Sequence, residues 1–429
     1  MRRPLIYLGV PVLVAVVLLL TGGVLGGHSR PAAAPAAAPT DRLADSIARA
    51  QDRLRTLPKD WRTWAALASA YVEEARVTAN PTYYQKAQGA AQQSLTLHPD
   101  GNVDALVALG ALANARHDFA GARDQARAAL AVDGYSADAY GVLADAQTQL
   151  GDSAAATDAV QRMLDLRPGL AAYARASYDL ELHGRTDDAT ALMRRALDAA
   201  TDPHDIAFCR NQLGELAWQR GDVAGARREY TAGLAADATS VALRRGLAQV
   251  DAADGHLDAA LAGYADVTGR APTPGYLIEY ADLLRLVGRP ADAMTQLSLA
   301  DAAVQLFTAN GGVDGLATAS LDLATGRAAD AVTAARAEWA RRQHVDVTDT
   351  LAWALHAAGK DAEALGYARR VAGTGARNAS YAYHLGAIEA ALGQRDAARA
   401  DLTRALTTNP YFSPLEAPVA RQLLTKVGS

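Results

Sequence analysis

Cysteine is almost missing from these 429 residues: Cys209 is the only one. A single thiol cannot close an internal disulfide, so neither a disulfide framework nor a paired CxxC motif is open to the chain. Lysine is nearly as scarce, four against thirty-eight arginines, and the net charge is −5. There is no basic stripe of the kind a polyanion needs, so no nucleic-acid partner is expected. Aromatic residues make up 6%, and strand signals are nearly absent. The sequence also lacks HExxH, a P-loop, G-x-S-x-G and G-x-G-x-x-G. Its nine histidines are scattered, with no spacing that marks a metal site. No catalysis, cofactor or metal is expected.

What is present is helix punctuation. Residues 381–414, YAYHLGAIEAALGQRDAARADLTRALTTNPYFSP, read as two short amphipathic helices. Leu385 and Ile388 form one apolar stripe; Ala398, Leu402, Ala405 and Leu406 form another at i, i+4, i+7, i+8, the spacing of a helix facing a core. Gly393 falls where the first helix must stop, and glycine takes a left-handed C-terminal cap at little cost. Ala398 stays small where two antiparallel helices approach, and Pro410 ends the second helix. One hairpin cannot bury its apolar face alone, so copies are expected.

They are there. Upstream of Gly393 the marker recurs at Gly359, Gly326, Gly288, Gly255, Gly221, Gly184 and Gly151, at intervals of 33 to 38 residues. A further step reaches His117, and histidine is among the few non-glycine residues enriched at positive φ. Five positions after each marker stands an alanine: Ala122, Ala156, Ala189, Ala226, Ala260, Ala293, Ala331, Ala364 and Ala398. This pattern resembles the tetratricopeptide repeat family from about Trp64 to Pro410. The resemblance implies an all-α, right-handed α-solenoid of about ten helix-turn-helix repeats, with no enzymatic role of its own.

The organisation follows. Residues 1–27 carry Arg2 and Arg3 before an apolar run over 5–25, which as a helix spans about 31 Å. That is expected to be a membrane anchor, or alternatively a cleaved signal peptide, with the remainder exported. Residues 28–40 are a Pro/Ala linker. Residues 41–58, with Leu43, Ile47, Ala50, Leu54 and Leu57 on one stripe, are expected to be a capping half-repeat, and residues 59–410 the solenoid. Residues 411–429 hold a closing helix. Seven extra residues centred on 76–82 are expected to form a loop, and 301–312 a longer second helix with a flexible corner ahead of a weak eighth repeat (Gly315, Thr318).

The remaining role is binding a protein or extended peptide. In the family the first helix of each repeat lines the concave face. Carried onto this chain, the groove positions are Arg175, Tyr178 and Glu181; Asn211, Gln212, Glu215 and Trp218; Gln249; Glu279, Asp282 and Arg285; Trp353 and His356; Tyr383 and His384. Trp218 and Trp353 lead, because aromatic rings on a polar face concentrate interface energy. The alternative reading is an envelope assembly factor gripping its partner by the convex face and loops, and a third is an enzyme whose site is not visible in the sequence. The family's Lys/Asn clamp for a peptide C-terminus is not present.

Overall fold

A computed structural model describes residues 39–428. The expected anchor over 1–27 and nearly all of the linker lie outside the described residues. No described helix is long and apolar enough to cross a membrane.

The described residues form twenty-two helices. A single helix, α1 (Pro39–Thr56), precedes ten hairpins. The first five pair α2 (Trp61–Thr78) with α3 (Tyr83–Leu97), α4 (Val103–Ala115) with α5 (Phe119–Val132), and α6 (Ala137–Leu150) with α7 (Ser153–Leu166). They continue with α8 (Leu170–Leu182) and α9 (Thr186–Ala199), then α10 (Pro203–Gln219) and α11 (Val223–Ala236). The second five begin with α12 (Val241–Ala253) on α13 (Leu257–Arg270), α14 (Pro274–Leu286) on α15 (Pro290–Ala309), and α16 (Gly315–Ala324) on α17 (Ala328–Arg341). They end with α18 (Val345–Ala357) on α19 (Asp361–Ala372) and α20 (Ala379–Ala391) on α21 (Arg395–Thr408), after which α22 (Glu416–Gly428) closes the stack.

Each hairpin turn does what the sequence demands. His117 has φ 61°, and the eight marker glycines lie between 72° and 84°, the left-handed region that stops a helix. In three of these turns the next residue caps the following helix at once: Asp118, Asp152 and Asp222 accept from Gly121, Ala155 and Gly225 amides, satisfying donors that have no intrahelical partner. None of the nine alanines five positions on is more than 2% exposed, because the second helix presses its backbone against the first there. Ala226→Leu is expected to overpack the fifth hairpin and cost about 1–3 kcal/mol; a urea midpoint unchanged from wild type would refute the register.

Three local expectations change. The extra residues near 76–82 mostly lengthen α2, leaving a short turn whose Ala79 has φ 50°. Leu57 is exposed, because α1 ends at Thr56, one residue short of it, while Ile47 and Leu54 on the same stripe are buried. The corner after α15 is packed: Phe307 lies 5.1 Å from the His117 ring and 6.2 Å from Tyr84, more than five hairpins back along the chain. The small residue Gly315 is required where it stands, because a Cβ there would come within 2.8 Å of Glu338 Cβ.

Candidate functional site

The stack curls tightly enough for its later repeats to lie on its earlier ones. The contacts form a seam at the C-terminal ends of the first helices, where backbone carbonyls lack intrahelical partners. Arg116 O accepts from Val313 N (3.1 Å) and Leu150 O from Gln343 N (3.2 Å). His117 O accepts from Arg341 Nη2 (2.7 Å), and Trp218 O from Asn409 Nδ2 (2.8 Å). Arg342 also donates to Gln149 and lies over the Phe119 ring. Arg342–Gln149 and Asn409–Trp218 join residues 193 and 191 positions apart, whereas Arg341–His117 spans 224. Residues 341–343 and 409 were not among the expected functional positions. Their only sequence signal is that they stand at the C-terminal end of a repeat's second helix.

This closure decides the fate of the expected groove residues. Arg175 is buried against Asp145 (3.2 Å), and Tyr178 Oη reaches His344 Nε2 across the seam (3.2 Å). Glu181 accepts from Gln219 (2.7 Å). Glu215 and Glu279 flank Arg245 at 3.0 and 2.8 Å and also accept from Tyr230 and Tyr264. Asp282 pairs with Arg285 (3.3 Å), which also donates to Ala324 O. His356 bonds Asp361. Asn211, Gln212 and Gln249 stay half-buried. Most of the set is thus occupied within the chain, forming a buried ladder of charge pairs between neighbouring first helices.

Neither leading tryptophan stands free on an open face: Trp218 is 6% and Trp353 2% exposed. Trp353 stacks on His384 (4.1 Å) and His356 (4.8 Å), with Tyr383 at 5.4 Å. The physical reason is enclosure. Helix α20 is covered by α22, and the start of α18 lies against Tyr178 of α8, so polar residues of both helices are buried. His384 Nδ1 lies 2.8 Å from Asp349, with Glu416 3.6 Å from its other nitrogen. Burial works against its charge, but those carboxylates lift it to about 10. His117 goes the other way: burial holds it below its ordinary 6.5 despite Asp314 at 3.7 Å, with Arg341, Arg342 and Glu338 also nearby.

Opposite pH limbs follow. The stability from His384 is full below its unfolded value near 6.5 and is lost as pH rises toward about 10. That from His117 is full above about 6.5 and is lost as pH falls toward its depressed folded value. In urea titrations from about pH 5 to about pH 10, His384→Gln is expected to flatten the alkaline limb and His117→Gln the acid limb. Unchanged limbs in both variants would contradict these environments.

The seam ends at the fifth repeat, and a cleft of about 210 Å³ opens beyond it. One wall is the first-helix face of the fifth to seventh repeats, where Trp218, Gln249, Glu279 and Asp282 come together. The other is the chain's own C-terminal segment from Pro410 to Arg421. Leu286 lies exposed at this cleft, and the buried Oε1 of Gln249 makes no hydrogen bond. Among the described residues no group of three or more His, Cys, Asp or Glu is placed to hold a metal ion.

By its own geometry the chain is an α-solenoid of tetratricopeptide-like helical hairpins. Similar solved structures include a tetratricopeptide repeat protein from Parabacteroides merdae, 16% identical over 60% of this chain and 98% of that one, with TM-score 0.36. PilF of Pseudomonas aeruginosa is 18% identical over 49% and 98%, with TM-score 0.39. Yeast Tom70 is 12% identical over 83% and 86%, with TM-score 0.42. No protein-family model matches the chain, and no curated protein matches it.

Proposed function

We propose that this protein is a non-enzymatic scaffold that holds a protein partner, tethered to a membrane by its N-terminal segment with the repeats outside the cytoplasm. The observation that carries the binding mode is the cleft beside α12 and α14. It is where four of the expected groove positions meet, and it is walled largely by aromatic and aliphatic groups with a few polar ones, the composition of a recognition site. The curled stack supplies rigidity: a preformed site loses less entropy on binding than a flexible one.

The test is photocrosslinking in cells. A benzoyl-phenylalanine at position 286 faces the cleft, and one at position 299 lies on the exposed face of α15. Capture of one partner from 286 but not from 299 is expected. The reverse result would sink the cleft reading and favour an assembly factor that docks by its outer surface. That second reading is supported by Met294, Leu299 and Leu306, each about half exposed on α15, which is an unusual density of apolar side chains for a solvated helix.

A further inference from the structure

The segment that closes the stack also sits on the face that a partner would use. Asn409 anchors it: its Nδ2 donates to Trp218 O (2.8 Å) while its Oδ1 accepts from Tyr411 N (2.8 Å). Pro410 then lies so close to Gly221 that a Cβ on that glycine would come within 3.2 Å of the proline ring. The Phe412 ring packs 5.6 Å from Tyr383. Ser413 Oγ accepts from the Leu415 and Glu416 amides (3.3 and 3.1 Å) and turns the chain into α22. Arg421 reaches back to Pro410 O (2.6 Å).

Pro410, Phe412, Pro414 and Pro418 therefore lie in one short stretch across a wall that includes Trp218 and Tyr264. Proline-bearing segments suit such walls, because they have little conformational freedom to lose and their rings pack flat on aromatic faces. The fit is incomplete. About 210 Å³ remains between segment and wall, Gln249 Oε1 lacks a hydrogen bond, and Tyr411 is 42% exposed.

We infer that residues 409–421 are an internal occupant of the concave face of the fifth to seventh repeats, and that the partner displaces them with an extended stretch of the same proline-and-aromatic chemistry. The inference about the partner rests on the scaffold reading above. An occupant attached to the same chain competes at high effective concentration, so a ligand meets only the fraction of molecules whose segment has swung away. Loosening the segment raises that fraction.

The probe is a fluorescent synthetic peptide of residues 409–421, titrated into the full chain, with a scrambled peptide as control. The Asn409→Ala chain, which loses the bond to Trp218 O that holds the segment on the wall, is expected to bind the peptide about tenfold more tightly than wild type. Equal affinity in the two chains, or equal binding of the scrambled peptide, overturns the inference. If Asn409→Ala does not fold, hydrogen exchange on the wild-type chain decides: saturating peptide is expected to speed exchange of the amides at 411–417, and no change overturns it. The crosslink at 286 separates this inference from the scaffold reading. A partner captured there that the peptide does not compete away refutes shared chemistry while leaving the scaffold intact. Peptide binding with nothing captured at 286 supports the internal occupant and refutes the scaffold.

Discussion

Replacing Gly184 by Ala is expected to destabilise the protein by about 3 kcal/mol or more, against about 1 kcal/mol for the same change at Gly288. The two glycines hold equivalent turn positions, with φ 72° and 77°, so the cost of forcing alanine into the left-handed region is common to both. The difference is the seam. A Cβ at Gly184 would come within 2.1 Å of Gly375 O, a backbone atom that cannot swing aside. At Gly288 it would meet nothing within 4 Å. Gly151, beside Gln343 O, belongs with Gly184; Gly326, Gly359 and Gly393 belong with Gly288. Equal losses at 184 and 288 in urea unfolding would mean that the seam is open in solution, and scattering on the wild-type chain would then show a longer molecule.

Arg245→Met is expected to cost about 3–5 kcal/mol. This guanidinium is 2% exposed and lies between two carboxylates, 3.0 Å from Glu215 and 2.8 Å from Glu279. Removing it strands both acids in an interior already closed by Tyr230 and Tyr264, whose hydroxyls donate to the same carboxylates. Arg245→Lys is expected to recover only part of the loss, since an ammonium cannot bridge two carboxylates with a planar fork of donors. Adding Glu215→Gln and Glu279→Gln to Arg245→Met is expected to recover more, because the stranded charge is then gone. Hydrogen exchange should place the damage in the fifth to seventh repeats, as contacts in a stacked array run mostly between neighbours. A loss spread evenly over the chain would count against that arrangement.

Much of the fold was legible in residue order because its causes are local. A marker at positive φ and a small residue five positions on are both settled within one hairpin. That is why His117 could be read as a turn residue although it is not glycine. Local reasoning failed where a helix stopped early or the neighbour came from far away. Leu57 keeps the apolar spacing but falls just past the end of α1 and is exposed. Phe307 stands in what reads as a loose corner and is held by Tyr84 and His117. Trp353 and His384 sit at groove positions by register, yet they are enclosed with Asp349 and Glu416.

The candidate site divides the same way. The first-helix positions that line the cleft, Trp218, Gln249, Glu279 and Asp282, followed from the repeat register. That the C-terminal segment forms the facing wall did not, because nothing near Asn409 in the sequence points to Trp218. The sequence by itself determined the all-helical hairpins, their turns and their packing alanines, each set by backbone sterics and spacing within about one repeat. Only the tertiary structure decided how far the stack curls, which glycines touch a second layer and which aromatic rings remain reachable. Curvature is the sum of small rotations from every repeat interface, so a slight change at each moves residues 190 positions apart into contact or out of it.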